Sequence, residues 1–449
     1  MVRCPKCNDT FRVAPTDLFV IAIEHQSPSD PATLPNDRVS CKHMKSCSGC
    51  SVTGVAQEPP TLNEIRSFLD RFGVRQLPVY IDSVHHWRTH AKLAIRGAQR
   101  SQITLGLFRS NSHEVQPIPE CTVHAPEIND AVNLVQSALR ESTLYAYNEA
   151  TGKGQCRYAL FTVHRPSRKV QVTIVWNAAS WKESNPESMQ LAAEIWRRGR
   201  SFLHSLWFNW NNSTGNVIVC PEVDRFYHVY GEKSVMETIC GVQIAFPPYA
   251  FRQANLDAFE KLVLPKLLSY IPIGANVAEF CAGVGVIGLT ALKNRKLRQL
   301  SSSEIMDGGR KPFRDAYNKL RKEGVQGKAS YIVGSDSDTM DIVQPNTDVV
   351  IVDPPRGGLS EDVVEFLANP VHNTAPTRIV YLSCGANAFK NDARVLLDGQ
   401  WRLTAAHAFI LFPGSNHVEL LAIFDRKRKP RIHTGRQKPS HDSKPRRKR

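Results

Sequence analysis

The sequence of 449 residues lacks several features that mark particular classes of protein. It contains no uninterrupted apolar stretch of about 18 or more residues, so we expect no helix that spans a membrane. The first ten residues, MVRCPKCNDT, lack the apolar run of a secretory signal, and no internal repeat is present. We expect a monomeric protein of two or three domains in the cytoplasm or nucleus. Basic Arg3 and Lys6 leave import into an organelle open.

Acidic residues are almost absent from the C-terminal segment. Residues 426–449 hold twelve Lys and Arg but a single Asp, so they carry a net charge of +11 out of the chain's +15. Such a segment has too few apolar residues to bury a core, which predicts a disordered basic tail over residues 427–449. The tail is suited to contacts with nucleic-acid phosphates; a nuclear address and a solubilising role are the alternatives.

The pattern of apolar residues changes near residue 241. Residues 1–40 are irregular, and residues 41–240 mix helical spacing with alternating strands, which predicts an α+β central domain. Residues 241–426 alternate buried β-branched strands with helices, which predicts an α/β, doubly wound, Rossmann-like domain. The expected strands of this second domain are NVAEF (276–280), VVIV (349–352), RIVYLS (378–383) and HVELLAIF (417–424). The central domain is expected to contain half-buried strands, which include HAKLAIRG (90–97), SQITLGLF (101–108) and KVQVTIVW (169–176).

The segment HWRTHAKLAIRG (86–97) places Trp87, Arg88 and Lys92 beside one of the central strands. Basic and aromatic side chains on a sheet are typical of an RNA-binding surface. An ordinary solvated sheet face explains the same pattern equally well, so both interpretations stay open.

A glycine-rich turn follows the first strand of the second domain. Gly283, Gly285 and Gly288 form a G-x-G-x-x-G pattern, and Glu304 lies 21 residues after the first glycine. Glycines that admit a ligand and an acid that binds ribose hydroxyls fit a dinucleotide site. They fit an S-adenosylmethionine site equally well, so the turn alone does not identify the cofactor.

Three further motifs stand at strand ends, where ligands of doubly wound sheets bind. Asp353 opens a rigid Asp-Pro-Pro-Arg-Gly-Gly loop after VVIV. Cys384 follows RIVYLS, where a thiol beside a helix start can have a lowered pKa and act as a nucleophile. Glu419 opens the last apolar strand, where partial desolvation suits a general base. Taken singly, each is more often a structural turn, an inert cysteine or a rim acid.

The three motifs together match one reaction, methylation of carbon 5 of uracil. That carbon is a weak nucleophile until a thiolate adds to carbon 6, and a base must later remove the carbon 5 proton. A cysteine and an acid beside an S-adenosylmethionine pocket meet both needs, whereas an NAD oxidoreductase needs neither. Another Rossmann-like enzyme, such as an amino-directed methyltransferase, and a non-catalytic RNA-binding protein are the alternatives.

The chain resembles the RNA uracil-5-methyltransferases that act on tRNA and ribosomal RNA. The resemblance covers about residues 41–426 and includes five motifs in the family's order: PPYAFRQAN (247–255), FCAGVGVIG (280–288), the DPPR loop, LSCGA (382–386) and NHVELL (416–421). It implies that Cys384 is the nucleophile and Glu419 the base. It further implies that the cofactor is bound by Gln253, Cys281, Gly283, Gly285, Glu304 and Asp353, and that Phe251 and Arg356 lie near a target base flipped out of the RNA.

The sequence departs from the family at three places. Gly385-Ala386 stands where the family commonly has Asn-Pro after the nucleophile, and the segment 302–313 is longer than usual. The acidic residue expected after the YIVG segment (331–334) is either Asp336 or Asp338 in this chain.

A cysteine cluster lies at the start of the central domain. Cys41, Cys47 and Cys50 lie close in sequence, and Cys121 follows in an IPECTVH segment. Four thiolates can hold either a [4Fe–4S] cluster or zinc. The resemblance favours the iron–sulfur cluster, whose expected role is to brace the RNA-binding domain. Cys4 and Cys7 could instead join Cys47 and Cys50 in a zinc site.

Overall fold

The computed structural model describes residues 38–44, 46–184, 186–214, 217–370 and 376–427, together with a two-residue ladder of Val2–Arg3 (β1) and Thr10–Phe11 (β2). Cys4, Cys7 and the basic tail after residue 427 lie outside the described residues, so the predictions for them stay predictions. Among the helices that are described, none has the length and apolar character needed to cross a membrane.

The elements up to residue 246 form the first half of the chain. In order they are α1 (Pro60–Asp70), β3 (Val79–Ile81), β4 (His90–Arg96), β5 (Thr104–Phe108), β6 (Val115–Pro117), α2 (Pro126–Glu141), β7 (Cys156–Val163), β8 (Val170–Trp176), α3 (Trp181–Ser184), α4 (Glu187–Gly199), β9 (Leu203–Trp210), β10 (Phe226–Gly231), β11 (Val235–Ile239) and β12 (Val242–Phe246). Short 3₁₀ turns at Arg100–Gln102 and Val223–Arg225 precede β5 and β10.

The second half alternates helices and strands. In order they are α5 (Leu256–Ala258), a π-helical turn (Phe259–Val263), α6 (Leu264–Ser269), β13 (Asn276–Phe280), α7 (Val286–Asn294), β14 (Gln299–Glu304), α8 (Arg310–Lys322), β15 (Lys328–Val333), β16 (Val349–Val352), α9 (Glu361–Ala368), β17 (Arg378–Ser383), α10 (Ala386–Asp398), β18 (Trp401–Ile410) and β19 (Glu419–Arg426). The 3₁₀ turns Asp307–Gly309 and Ser337–Ile342 follow β14 and β15.

A seven-stranded sheet forms the core of the central domain. Its order is β10-β9-β8-β7-β4-β5-β6, and every pair is antiparallel except β8 and β9, which a helical crossover joins in parallel. Helix α2 packs on this sheet through Ile128, Val132, Val135 and Leu139, which recur at helical spacing. Strand β8 is buried on both faces rather than half-buried, because a second cluster containing Ile218 covers the other face.

An eight-stranded sheet forms the core of the second domain, in the order β15-β14-β13-β16-β17-β19-β18-β3. The first five strands are parallel, β19 is antiparallel to both of its neighbours, β17 and β18, and β3 pairs in parallel with β18 at the edge. Apolar clusters cover both faces, one containing α6, α7 and α8 and the other containing α1, α9 and α10. The predicted doubly wound fold is confirmed, and β13, β16 and β17 have the predicted bounds.

Helix α1 packs on this second sheet, and strand β3 belongs to it. Residues 60–81 fall within the predicted central domain, yet α1 packs beside α10, and β3 pairs with β18. Phe68 is buried and its ring meets that of Phe389 at 5.9 Å. The second domain therefore includes residues from both sides of the boundary that the sequence predicts at residue 240.

This packing predicts that Phe68→Ala destabilises the second domain. Loss of a buried phenylalanine costs about 3–5 kcal/mol because a cavity remains. The free energy of unfolding in urea, with hydrogen exchange in β17 and β18 as the local readout, measures the effect. Phe72→Ala is the matched control, since the ring of Phe72 contacts that of Phe68 but is 39% exposed. This variant should therefore lose much less free energy of unfolding. Equal losses in both variants contradict this packing.

Candidate active site

Strand register brings Cys384 and Glu419 together. Ser383 of β17 pairs with Leu420 of β19 in an antiparallel ladder, so the next residues, Cys384 and Glu419, stand opposite each other at the strand ends. Glu419 is 4% exposed and Cys384 is partly buried, with its Sγ 4.0 Å from the carbonyl oxygen of Pro354. The nucleophile and base expected from the sequence therefore occupy one pocket.

The thiol of Cys384 is protonated in the ligand-free site. Burial raises its pKa to about 11, and the carboxylates of Glu419 and Asp353 add to the shift, while Arg356 opposes it. The sequence position at a helix start predicted a lowered pKa, and for the ligand-free site that prediction is wrong. Burial of the thiol, together with the negative charges that face it, outweighs the effect of the helix terminus.

Two carboxyl groups of the pocket hold protons more tightly than usual. Burial raises the pKa of Glu419 to about 7, with Arg356 acting in the opposite direction. The pKa of Asp353 is raised well above its ordinary value by burial and by Glu419, Glu279 and Glu304. This crowding of acids disfavours a full set of negative charges and favours a cationic ligand.

The glycine-rich turn depends on its glycines. Gly283 and Gly285 have φ values of 57° and 85°, a region that glycine adopts without strain. A Cβ on Gly285 would lie 2.3 Å from the ring of Phe313, so a side chain does not fit. The amides of Gly283 and Met306 donate to the two carboxylate oxygens of Glu304 at 2.9 and 3.0 Å, which fixes this acid at the end of β14.

A second acid near the turn was missed by the sequence reasoning. Glu279 lies buried within β13 and accepts hydrogen bonds from the amide of Gly288 at 2.8 Å and the hydroxyl of Ser302 at 2.7 Å. Burial raises its pKa to about 7. The available signal was an acid inside the otherwise apolar NVAEF strand. Its hydrogen bonds tie the helix start to the sheet.

The two acids left open after β15 have different partners. Asp336 accepts hydrogen bonds from the amide and hydroxyl of Ser360 at 2.8 and 2.6 Å, which anchors the segment after the DPPR loop. Asp338 accepts from the hydroxyl of Ser335 at 2.6 Å. Asp336 also contributes to the raised pKa of Cys281, which places it nearer the pocket.

The unusual Gly385 has a steric cause. A Cβ at this position would lie 2.6 Å from the carbonyl oxygen of Arg356, so the loop after the nucleophile touches the backbone of the DPPR loop. The guanidinium of Arg356 donates to His417 Nε2 at 3.1 Å. A residue with a side chain at position 385 would push these two loops apart.

The segment 247–255 presents its two predicted site residues differently. Phe251 is 72% exposed, which leaves its ring free to meet a ligand. Gln253 is partly buried, and its Oε1 accepts a hydrogen bond from the amide of Ala254 at 3.2 Å. The side-chain amide of Asn255 donates through Nδ2 to the carbonyl of Leu411 at 2.9 Å and so ties the segment to the second sheet.

The proposed basic and aromatic surface near β4 is only partly exposed. Trp87 is buried, with its ring 5.6 Å from that of Phe412 and the guanidinium of Arg88 above it at 4.8 Å. Lys92 remains exposed on β4. Trp87 therefore joins the two domains and does not offer a ring for base stacking.

The four predicted cysteine ligands lie close together as free thiols. Cys50 and Cys121 are buried and Cys41 and Cys47 partly buried. Burial raises the pKa of Cys50 to about 12, and the other three thiols add to the shift. Backbone amides donate to Cys41 Sγ at 3.4 Å and Cys47 Sγ at 3.3 Å. Within the described ranges, however, no group of three or more His, Cys, Asp or Glu side chains has an arrangement that could hold a metal ion.

The buried state of Glu419 predicts a pH-dependent gain in stability for Glu419→Gln. Because the folded-state pKa is raised, burying the ionised carboxylate costs stability above pH 7 and costs none below the unfolded pKa near 4.5. The difference in free energy of unfolding between the variant and the wild type should therefore be about 3 kcal/mol larger, in favour of the variant, at pH 8 than at pH 4. Urea unfolding at both pH values measures the gain. Glu361→Gln, at the first turn of α9 and exposed, is the control, and an equal gain in both variants contradicts the account.

Comparison with known proteins places this site in a family. No family model matches the chain. The chain is 37% identical over 398 residues to an uncharacterized RNA methyltransferase of Protochlamydia amoebophila, covering 86% of this chain and 98% of that protein. It is 25% identical over 426 residues to one from Geobacter sulfurreducens, covering 90% and 82%, and 27% identical over 407 residues to one from Staphylococcus epidermidis, covering 87% and 85%.

A solved structure has the same fold. The tRNA (uracil-54, C5)-methyltransferase of Pyrococcus abyssi, in complex with S-adenosyl-L-homocysteine, matches with a TM-score of 0.66 and 22% identity over 84% of this chain and 86% of that one. The extent and identity of the match with the Protochlamydia protein go further than a shared fold. The chain therefore belongs to the family of RNA methyltransferases that includes the Protochlamydia amoebophila protein.

Proposed function

We propose that the protein transfers a methyl group from S-adenosylmethionine to carbon 5 of a uridine in tRNA or ribosomal RNA. The observation that carries the proposal is the placement of Cys384 opposite Glu419 at the ends of β17 and β19. A methyltransferase that acts on an amino group has no need of a nucleophilic thiol facing a buried carboxyl group. The uracil-5 activity named for the Pyrococcus abyssi protein, which shares the fold, agrees with this proposal.

The residues present fit S-adenosylmethionine. The raised pKa values of Asp353, Glu419 and Glu279 mark a pocket that would be stabilised by positive charge, and the methyl donor carries a sulfonium. We infer that Glu304 binds ribose hydroxyls beside the glycine-rich turn and that Gln253 and Asp353 hold the polar parts of the ligand. When bound, the group supplies an electrophilic methyl carbon.

The first step needs the thiolate of Cys384. Its pKa, raised to about 11, falls when a cation bound beside Asp353 offsets the facing negative charge, and the thiol proton then passes to water. The thiolate then adds through Sγ to carbon 6 of uracil. The electron pair of the carbon 5–carbon 6 bond moves toward oxygen 4, and carbon 5 becomes nucleophilic.

The second step needs the carboxylate of Glu419. Carbon 5 forms its bond to the methyl carbon, and the bond from that carbon to sulfur breaks. Glu419 removes the proton left on carbon 5, the carbon 5–carbon 6 bond re-forms, and the Cys384 thiolate departs from carbon 6. A pKa of about 7 leaves a useful fraction of Glu419 ionised near neutral pH.

RNA recognition requires the target base to leave its stack. The exposed ring of Phe251 offers a surface on which a flipped uracil can stack, and Arg356 is placed to contact it from the DPPR loop. Lys92 and the basic tail supply positive charge for RNA phosphates. We propose that the protein acts as a monomer in the cytoplasm or nucleus.

We further propose that Cys41, Cys47, Cys50 and Cys121 hold a [4Fe–4S] cluster. The four thiols lie together, and two receive backbone amide hydrogen bonds. Methyl transfer involves no change of oxidation state in the base, so the cluster would act as a brace. It would stabilise the cysteine loop, whose Ser51 and Val52 amides donate to the carbonyl of Gly414 near Glu419.

The cluster proposal predicts that anaerobically purified protein contains iron and acid-labile sulfide in equal amounts. Cys121→Ala should lose both, because it removes one of four ligands. Cys156→Ala is the matched control, since Cys156 is equally free and buried but lies in β7. Elemental analysis and the visible absorption spectrum decide the question. Zinc without iron in the wild-type protein contradicts the proposal, as does full iron content in Cys121→Ala.

The mechanism predicts opposite effects for two site variants. Cys384→Ala should form no 5-methyluridine and no covalent RNA complex, because the adduct cannot form. Glu419→Gln should accumulate a covalent complex, because the carbon 5 proton stays in place. Denaturing electrophoresis of the protein with RNA and S-adenosylmethionine measures the complex, and nucleoside mass spectrometry measures the product. Cys220→Ala, a partly buried cysteine outside the site, is the control and should behave as wild type. Full activity of Cys384→Ala overturns the mechanism.

A further inference from the structure

Arg252 is a buried cation that the proposed chemistry does not use. It stands between Phe251 and Gln253, yet its side chain is 1% exposed. Its guanidinium donates to the hydroxyl of Thr89 at 2.9 Å, to the carbonyl of Val163 at 3.1 Å and to the carboxylate of Glu237 at 2.8 Å. Two of these partners lie beside or in the seven-stranded sheet, so this side chain reaches away from the catalytic pocket.

Neighbouring residues of the segment are anchored on different domains. The carbonyl of Ala254 accepts hydrogen bonds from the amide and hydroxyl of Thr89 at 2.8 and 3.1 Å, which adds to the Arg252 anchor on the central domain. Asn255 is buried and holds the carbonyl of Leu411 at the end of β18. Gln253 lies between the anchors at Arg252 and Asn255. Phe251 directly precedes Arg252.

The carboxylate of Glu237 is shared between two guanidinium groups. Arg165 donates to it through Nε at 2.8 Å and also pairs with Asp257 and Glu260 at 2.9 and 2.8 Å. A buried ion pair contributes little net stability compared with apolar residues of similar volume, because both charges lose their hydration. The directional hydrogen bonds of Arg252 therefore matter chiefly for where they hold the backbone.

We propose that Arg252 is a positioning residue, which sets Phe251 against the target base and Gln253 against the methyl donor by fixing their backbone to the seven-stranded sheet. The inference rests on the proposed function, since it assigns those two contacts. It adds that the target base is positioned relative to the central domain, because the segment that contacts the base is held by the seven-stranded sheet of that domain. Removing the guanidinium leaves both neighbours in the chain but releases the segment between them.

Arg252→Met is the informative variant, because methionine fills a similar volume and Glu237 keeps its ion pair with Arg165. A misplacement of about 1 Å costs on the order of 100-fold in rate, so kcat should fall by about that factor while the KM for RNA changes little. Hydrogen exchange of the amides at 249–254 should become faster. The assay uses total RNA from cells that lack the gene, with S-adenosylmethionine.

Arg165→Met is the matched control. It removes three ion pairs, with Glu237, Asp257 and Glu260, and should lower the thermal midpoint at least as much. It leaves Arg252 bound to Glu237, Thr89 and Val163. Its kcat and its exchange at 249–254 should stay near the wild-type values. Equal losses of kcat in both variants, a loss confined to the KM for RNA, or unchanged exchange in Arg252→Met overturns the inference.

The exchange measurement needs no RNA, so it separates this inference from the proposed function. If the wild-type protein makes no 5-methyluridine, the proposed function fails. Faster hydrogen exchange at 249–254 in Arg252→Met, but not in Arg165→Met, then still establishes that Arg252 holds this segment in place.

Discussion

The antiparallel pairing of β17 with β19 is the interaction on which the site depends. Parallel strands would bring residues at equivalent strand ends to one edge, but the reversal of β19 brings the start of one strand against the end of another. Cys384, the residue after β17, therefore faces Glu419, the first residue of β19. Two residues that are 35 positions apart in sequence therefore meet at one end of the strand pair.

The electrostatics of the pocket follow from that arrangement and from burial. Three carboxyl groups near the cofactor edge have raised pKa values, and the thiol beside them is held in its protonated form. A cationic methyl donor would offset the acids and ease ionisation of the thiol. In the proposed mechanism, such an arrangement would keep Cys384 protonated until the cofactor binds, which gives one reason for placing the nucleophile among acids.

Much of the fold and the site could be predicted from the sequence, because buried parallel strands read as continuous apolar runs. NVAEF, VVIV and RIVYLS became β13, β16 and β17 without adjustment, and the residues after them mark the ligand-binding edge. Local motifs likewise led to Cys384, Glu419 and Asp353. These features depend on periodicity and position along a strand, which one sequence contains.

The features that sequence reasoning missed depend on tertiary contacts. The insertion of β3 beside β18 is decided by which sheet edge is open, and no local pattern near residue 80 reveals it. The raised pKa of Cys384 arises first from burial and then from acids 31 residues before and 35 residues after it in sequence. Arg252 reads as an ordinary surface arginine until Thr89, Val163 and Glu237 surround it.

The central claim is that the base is activated by a thiol at carbon 6 and loses its carbon 5 proton to a carboxylate. Release of tritium from RNA labelled at carbon 5 of uridine tests it most directly. With S-adenosylmethionine and the wild-type protein, the account predicts one tritium released to water for each methyl group transferred. Methyl transfer to RNA without tritium release would contradict it, because the methyl group would then be on an atom other than carbon 5.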